Sequence, residues 1–557
     1  MFERDALGRI VREIQGGHAI EHVYDGRSRL TRTLSDLGAD IAHGYGDAGL
    51  PESVRAIVQG MPHPWEARLQ RDRLGHETLR TMTGGVDCAM QYDGVGRPLR
   101  QGVSRGGHSL YNKSYHWDDG LLLSHVHDAI SGRLVRYLYD DLDSLAEAEY
   151  GDGARQWRNP DIMGNVYDSP DRTDRAYARG GQLREDRRWR YHYDAQGNLV
   201  LKTMRKIPPV AETPQGNRKG IFGLFANGNT SKERGEQEER LAWQPGDYAY
   251  TWLPNGMLGS VTRPDGKTVT FKYDALGRRM EKTFNGRVHR YLWDGDVILH
   301  EWEYSEAERP QPIVAESGEM SFDKPEPTDN LVTWVYDPDS YVPTAKLVGG
   351  KRYSIVSDYI GRPVQAYDER GTLVWQADYD IYGNLLNLKG DRDFVPFRQL
   401  GQYEDGETGL YYNRFRYYDP STGGYMSQDP IGLAGENPTL YGYVSDTNMW
   451  VDILGLDIIR LRHYTSNKGL QGIKESMTIK AGDQNAVFAV KAKGKPLSMA
   501  DAAKKYKIST PNHTRNYIDF DIDDSRIELR KNDLGVEEYK IKGDVELDPK
   551  TTKFEVI

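Results

Sequence analysis

TVTFKYDALGR, residues 268–278, reads as a strand running into a turn. Val269, Phe271 and Tyr273 alternate with Thr268, Thr270 and Lys272, a period of two that gathers the apolar side chains on one face. Asp274 then accepts local backbone N–H groups, a glycine supplies positive φ, and a polar residue opens the next strand. The same code recurs as ERDALGR at 3–9, YDGRSR at 24–29, YDGVGR at 92–97, YDAQGN at 193–198, YDERGT at 367–372 and DYDIYGN at 378–384. Asn255-Gly256, Asp265-Gly266 and Asn285-Gly286 add turn signals at short spacing. Repeating hairpins bury a face only by stacking on neighbours, so the expected body is mainly β, one long sheet wound on itself. The 36 Tyr, against 12 Phe, and the 59 Gly suit many strands joined by tight turns.

A chain of 557 residues is too long for one compact core unless a repeat organises it. No apolar run approaches the ~18 residues that would suggest a membrane helix. The opening MFERDALGRI has neither an apolar h-region nor a small-residue cleavage site, so Sec export is not expected. Cys88 is the only cysteine, which excludes intrachain disulfides and multi-cysteine metal sites; a small buried hydrophobe is its expected role. Residues 457–557 hold 19 Lys and Arg against 16 Asp and Glu, whereas the preceding 456 hold 54 against 67. An acidic body argues against nucleic-acid binding there and leaves it open for the tail. Residues 208–241 and 303–328 are polar, rich in Pro, Gly and Glu, and read as surface loops.

Two related segments, DPIGL at 429–433 and DILGL at 452–456, place aspartates 23 residues apart, and the composition changes directly afterwards. Hydrolysing a peptide at neutral pH needs an activated water and a proton donor, which two facing carboxylates sharing one proton supply. Spacing alone leaves open the alternative that Asp429 and Asp452 are turn residues accepting backbone N–H bonds. Beyond them, residues 457–557 read as a compact α+β unit. Strands are expected at 458–466, 486–490, 516–523, 525–530, 537–543 and 553–557, and helices at 468–475 and 499–507, the second capped by Ser498. On the first strand Ile459, Leu461 and His463 share a face and Tyr464 points the other way.

The repeats, together with LGQYEDGETGLYYNRFRYYDPSTGGYMSQDPIGL at 400–433 and WVDILGL at 450–456, resemble the Rhs (rearrangement hotspot) Tyr-Asp repeat proteins. The resemblance implies a β-shell over 1–399, an Rhs-associated core over 400–456 and a C-terminal toxin over 457–557. It also implies export from a bacterial cytoplasm through a type VI secretion spike or adaptor, action in the target-cell cytoplasm, and a cognate immunity protein in the producing cell. The chain opens inside a repeat, without the family's N-terminal plug or loading domain, and is therefore expected to be a fragment or a displaced C-terminal cassette. Members of the family cleave themselves after the second motif; carried over here, Asp429 and Asp452 form the acid/base pair and Leu456–Asp457 is the scissile bond. Arg414, Arg416 and Asp419 are secondary candidates, an arginine holding one carboxylate ionised while the other keeps its proton. Ile453 stands where the family usually has Pro, which frees φ and adds an N–H.

The tail sequence from RLRHYTSNKGLQGIKESMTIKAG through NAVFAVKAKGKPLSMADAAKKY resembles the toxin ADP-ribosyltransferases with a His-Tyr-Asp type signature. That resemblance implies NAD as substrate and no metal. His463 and backbone groups near Thr465 are the expected hydrogen-bond partners of a ribose or the nicotinamide amide. The stacking aromatic is left open among Tyr464, Phe488 and Tyr506. The carboxylate that stabilises the oxocarbenium-like centre is Glu538 or Glu537, with Asp519 and Asp521 as alternatives. A target protein or a structured RNA would accept the ADP-ribose, the lysines at 491–495 and 504–507 suiting phosphates. Two readings from other classes compete: a metal-independent nuclease using His463 or His513 as general base, and a non-enzymatic shell or surface-binding protein that the tail plugs.

Overall fold

The computed structural model describes residues 1–119, 122–207, 241–314, 320–432, 439–456, 459–481, 486–491, 502, 505, 516–522, 527–531, 537–542, 545–547 and 552–556. The chain divides into two units, Met1–Gln428 with Thr439–Gly455, and Asp429–Pro438 with Leu456–Ile557.

In the first unit the hairpin code holds at atomic detail. In TVTFKYDALGR, the Asp274 carboxylate accepts the N–H of Leu276 (2.9 Å) and Arg278 (2.8 Å), its second oxygen takes the Arg278 Nε–H (2.7 Å), and Gly277 has φ 75°. The same bonds close the turns at Asp25 and Asp93. At Asp25 the Arg29 guanidinium and backbone N–H groups hold the carboxyl down to about 2. In YDGRSR it is Ser28, not Gly26, that takes positive φ (63°), so the turn counts residues from the aspartate rather than following the glycine.

The tyrosines explain their own abundance. Tyr273 Oη donates to Leu258 O (2.8 Å), as do Tyr24 to Ile10 O, Tyr45 to Leu30 O, Tyr92 to Glu77 O and Tyr379 to Pro363 O. Each phenol ties its repeat to the hairpin before it, a bond phenylalanine lacks. The arginine ending one turn lies over the tyrosine of the next, Arg9 over Tyr24 at 4.7 Å and Arg29 over Tyr45 at 4.5 Å.

The ladder does not run as one sheet. Fifteen antiparallel strands in chain order, Phe2–Arg4 to Arg155–Trp157, make the first sheet, and sixteen from Ala176–Tyr177 to Leu385–Lys389 make the second. Between them Pro160 and Pro170 offer no N–H, and Asn159, Ser169 and Asp174 bond locally instead. The expectation of a loop over 303–328 also fails in part. Val297–Ser305 is a strand in which His300, Trp302 and Tyr304 are buried on alternate positions, and Pro312–Val314 pairs with Met320–Phe322. Only residues 303–305 of that strand fall within the expected loop, where the polar, Pro- and Glu-rich composition outweighed the alternation. Residues 208–240, most of the other expected loop, lie outside the described residues.

The two sheets share a core in which Ile20, Val54, Trp65 and Val103 of the first meet Val288, Trp302, Val356 and Tyr367 of the second. Trp65 Nε1 donates to Ser354 Oγ across it (2.9 Å). Cys88 is buried there and its thiol is pushed up to about 11 by burial, as befits a structural side chain.

A four-stranded sheet of Tyr403–Asp405, Leu410–Asn413, Arg416–Asp419 and Gly424–Tyr425 packs against the second large sheet. It is anchored by a fully buried ion pair, Arg279 Nη1 to Asp405 Oδ2 at 2.6 Å, with Lys282 Nζ 3.3 Å from the other carboxylate oxygen. The Arg279 guanidinium is ringed by Tyr412 (4.5 Å), Tyr291 (4.8 Å), Tyr403 (5.3 Å) and Phe271 (5.5 Å). Burial works against ionising Asp405, but the two cations outweigh it and hold its carboxyl below the usual range. Asp405→Ala leaves Arg279 buried without its counter-charge and is expected to cost about 3–5 kcal/mol, measured as a lowered urea midpoint of the full chain.

The second unit is built on a six-stranded antiparallel sheet in the order Ile527–Lys531, Glu537–Lys542, Ala486–Lys491, Ile459–Thr465, Asn516–Ile522, Lys553–Val556. One helix, Asn467–Ser476, follows the first strand; Ser466 caps it by accepting the Gly469 N–H (3.1 Å). Its Leu470 and Ile473 join Val487, Ala489, Ile518, Phe520 and Ile541 in the core. Thr478–Ile479 and Val545–Glu546 form a two-stranded ladder that the sequence reading did not anticipate. Most of the expected helix at 499–507 lies outside the described residues.

Candidate functional site

In the first unit, the turn Asn413-Arg414-Phe415-Arg416 joins two strands of the small sheet, and the backbone of residues 452–455 runs along it. Asn413 Nδ2 donates to Asp452 O (2.8 Å), Phe415 N–H to Leu454 O (3.1 Å), and Arg416 Nε to Gly455 O. This approach is close enough to demand glycine. At Gly455, φ 69°, a Cβ would lie 2.3 Å from Asn413 O, and at Gly401 a Cβ would lie 2.1 Å from Ile453 O.

Asp452 is buried, 3% exposed. Its Oδ2 accepts the Tyr425 phenol at 2.6 Å and Arg416 Nη2 at 3.2 Å. Arg416 in turn lies over the Tyr425 ring, 3.7 Å from its centroid. Burial, and after it the Asp452 charge, push the Tyr425 phenol well above its ordinary value, so it stays a proton donor. Of the secondary candidates only Arg416 reaches Asp452. Arg414 instead pairs with Asp296 (3.1 Å), and Asp419 with Lys202 Nζ (2.9 Å). Burial opposes ionising Asp419, yet Lys202 and Ser421 outweigh it and hold its carboxyl low. Tyr425 and Asn413 were not singled out by sequence, because a Tyr-rich shell gives one tyrosine no distinguishing mark.

Asp429 belongs to the second unit. It is buried, its carboxylate accepts the Ile431 N–H (2.8 Å), and its carbonyl accepts the Gly432 N–H (2.9 Å). Leu456 is buried, and Asp457, on the other side of the expected scissile bond, lies outside the described residues.

In the tail, His463 sits on the central strand opposite Ile518, on the core face. Its Nδ1 is 2.9 Å from Phe488 O, an acceptor only, so Nδ1 carries the proton and Nε2 presents a lone pair. Burial lowers the ring's affinity for a second proton, the Phe488 carbonyl opposing it weakly. Tyr464 lies on the other face with its ring 6.3 Å from that of Tyr517. Thr465 is buried, and its carbonyl is 3.5 Å from Nδ2 of the fully buried Asn516, which also donates to Asn467 Oδ1 (2.7 Å). Asn516 had no motif to announce it.

Glu537 and Glu538 open the strand Glu537–Lys542, opposite Lys531 and Arg530, and their side chains lie outside the described residues. So do the side chain of Asp521, both Tyr506 and His513, and the lysines at 491–495, 504 and 507. Asp519 is buried opposite Arg462. No group of three or more His, Cys, Asp or Glu able to hold a metal is present among the described residues. No helix among them is long and apolar enough to cross a membrane.

Residues 162–439 match the family described as Teneurin YD-shell, and residues 461–548 match the HYD1 signature containing ADP-ribosyltransferase. The chain belongs to the Rhs, or Tyr-Asp repeat, polymorphic toxins, with a tail of the ADP-ribosyltransferase type. Double-stranded DNA deaminase toxin A of Burkholderia cenocepacia (strain H111) is 27% identical over 505 residues, covering 82% of this chain and 30% of that protein. Probable deoxyribonuclease RhsB of Dickeya dadantii (strain 3937) is 28% identical over 478 residues, covering 82% of this chain and 29% of its own length. The chain thus spans less than a third of these relatives. The solved TcdB2-TccC3-TEV structure shares the shell fold, with a TM-score of 0.51 and 17% identity over 79% of this chain and 21% of that one.

Proposed function

We propose that the chain is an Rhs-type antibacterial effector whose tail transfers ADP-ribose from NAD to a protein or RNA of the target cell. The observation that carries this reading is the state of His463 within the matched signature. Its Nδ1–H is committed to Phe488 O, and a neutral ring leaves Nε2 as an acceptor for a ribose hydroxyl or the nicotinamide amide. In the reaction the glycosidic bond to nicotinamide breaks with the electron pair leaving on nicotinamide. A bond forms from the ribose carbon to the acceptor nucleophile, and the acceptor's proton passes to a base. Glu538 or Glu537 is proposed to stabilise the positive charge that develops on the sugar.

Before transfer, the tail is freed by hydrolysis of Leu456–Asp457, with Asp452 and Asp429 as the acid/base pair. Export through a type VI secretion spike or adaptor, and a cognate immunity protein in the producing cell, complete the proposal. The test is to incubate the full chain with NAD labelled on the adenosine and with bacterial lysate, then separate protein from RNA. Label in either fraction together with free nicotinamide supports the transferase and names its acceptor. Intact NAD and no label overturn it.

A further inference from the structure

We propose that a cavity between the second large sheet and the small four-stranded sheet binds a planar aromatic carboxylate, held by Arg188, Lys202 and Tyr250. The cavity has a volume of about 490 Å³, a size that takes a small organic molecule. It lies where the strands Leu199–Thr203 and Tyr248–Trp252 face the start of Leu410–Asn413 and the end of Arg416–Asp419. Trp189, Tyr248, Tyr250, Leu410 and Pro420 give it aromatic and apolar walls. Trp189 and Tyr248 meet edge to face with centroids 5.9 Å apart, an arrangement that a third flat ring extends.

The polar part of the lining offers donors without acceptors to match. Glu404 and Asp419 are both engaged: Glu404 takes Arg392 Nη2 at 2.8 Å and Arg398 Nε at 2.6 Å on its two oxygens, and Asp419 takes Lys202 Nζ at 2.9 Å. Lys202 spends a second N–H on Ser421 Oγ (3.4 Å), and an ammonium has three, so one is left. The Arg188 guanidinium meets no carboxylate among the described residues and lies over the Trp189 ring, 5.0 Å from its centroid. Lys202 Nζ is 5.5 Å from the same centroid, so the two cations converge on one ring. Tyr250 is 5% exposed, and its hydroxyl has no hydrogen-bond partner among the described residues. Burial, and after it the Asp419 charge, push that phenol well above its ordinary value, so it stays a proton donor.

A buried donor without an acceptor is costly, and a polar cavity is filled by water or by a ligand. An anion's oxygens satisfy Tyr250, Arg188 and the remaining Lys202 N–H at once. Its charge follows from the lining: Arg188, Lys202 and Arg392 against Glu404 and Asp419 leave one positive charge in excess. A carboxylate matches that excess, whereas a phosphate monoester brings about −1.5 to −2. The aromatic walls select a flat apolar body behind the carboxylate.

The test is calorimetric titration of the full chain with naphthoate, with naphthamide, which has the same shape without the charge, and with naphthyl phosphate. Naphthoate is expected to bind, and naphthamide to bind at least about tenfold more weakly. Arg188→Gln and Tyr250→Phe are each expected to weaken naphthoate about tenfold, since each removes one donor to a charged group. Arg187→Gln is the control: it removes the same charge one residue away, from an exposed side chain outside the cavity, so affinity is expected to stay as in the wild type. Equal affinity for naphthoate and naphthamide, equal effects of Arg187→Gln and Arg188→Gln, or wild-type affinity in Tyr250→Phe overturns the proposal. Tighter binding of naphthyl phosphate than of naphthoate also overturns it and assigns the cavity to a phosphate monoester. Binding of none of the three overturns it and leaves a cavity that holds water alone. These outcomes are independent of the tail, whose transfer of ADP-ribose is measured separately.

Discussion

His463→Asn is expected to cut label transfer from NAD by at least about 100-fold while the tail stays folded. Asparagine places an amide N–H close to where Nδ1 stood, so the bond to Phe488 O is kept, but nothing reaches where Nε2 presents its lone pair. The loss therefore reports on the acceptor and not on the fold. An unchanged thermal transition beside a lost activity is the expected pair of results; an unchanged rate would remove His463 from the substrate site. pH supplies a second check. Burial holds the ring below its ordinary 6.5, so transfer is expected to persist below that pH and fall only when the folded-state ring protonates. The sign for stability is the same: the unfolded chain takes up the proton first, so the stability present above pH 6.5 is lost as the pH falls toward the folded value.

What the sequence made legible was local and periodic. Tyr273, Asp274 and Gly277 announce a hairpin because strand alternation, an aspartate-capped turn and a positive φ are decided within ten residues. The break between the two large sheets was illegible, since it depends on Asn159–Pro160 pairing with Val166–Tyr167 as a separate two-stranded ladder and not extending either large sheet. The strand Val297–Ser305 overruns the start of the expected loop at 303–328 by three residues, because Tyr304 continues the alternation of His300 and Trp302 into a stretch whose composition turns polar. The candidate sites divide in the same way. His463 was visible through its motif, and Asp452 through the repeated Asp-x-x-Gly-Leu. Asn413 and Tyr425 lie 39 and 27 residues from Asp452 in sequence, and Asn516 lies 51 residues from Thr465. Their roles arise only from folding, which no local pattern records.

Asp452→Asn is expected to leave the chain whole, with the fragment beginning at Asp457 reduced at least about 1,000-fold. Asparagine caps a turn as well as aspartate does, so this substitution separates the two readings of the motif: a turn residue would tolerate it, and a water-activating carboxylate would not. A stability effect comes with it. Arg416, with its side chain fully buried, loses the carboxylate charge it meets at Asp452, and removing one partner of a buried ion pair costs about 3–5 kcal/mol. A lowered urea midpoint with blocked cleavage is thus the expected signature at Asp452. Asp429→Asn is expected to block cleavage as well, although its amide oxygen can still accept the Ile431 N–H. Normal cleavage in both variants would return the two aspartates to the role of turn residues and leave the release of the tail to an external protease.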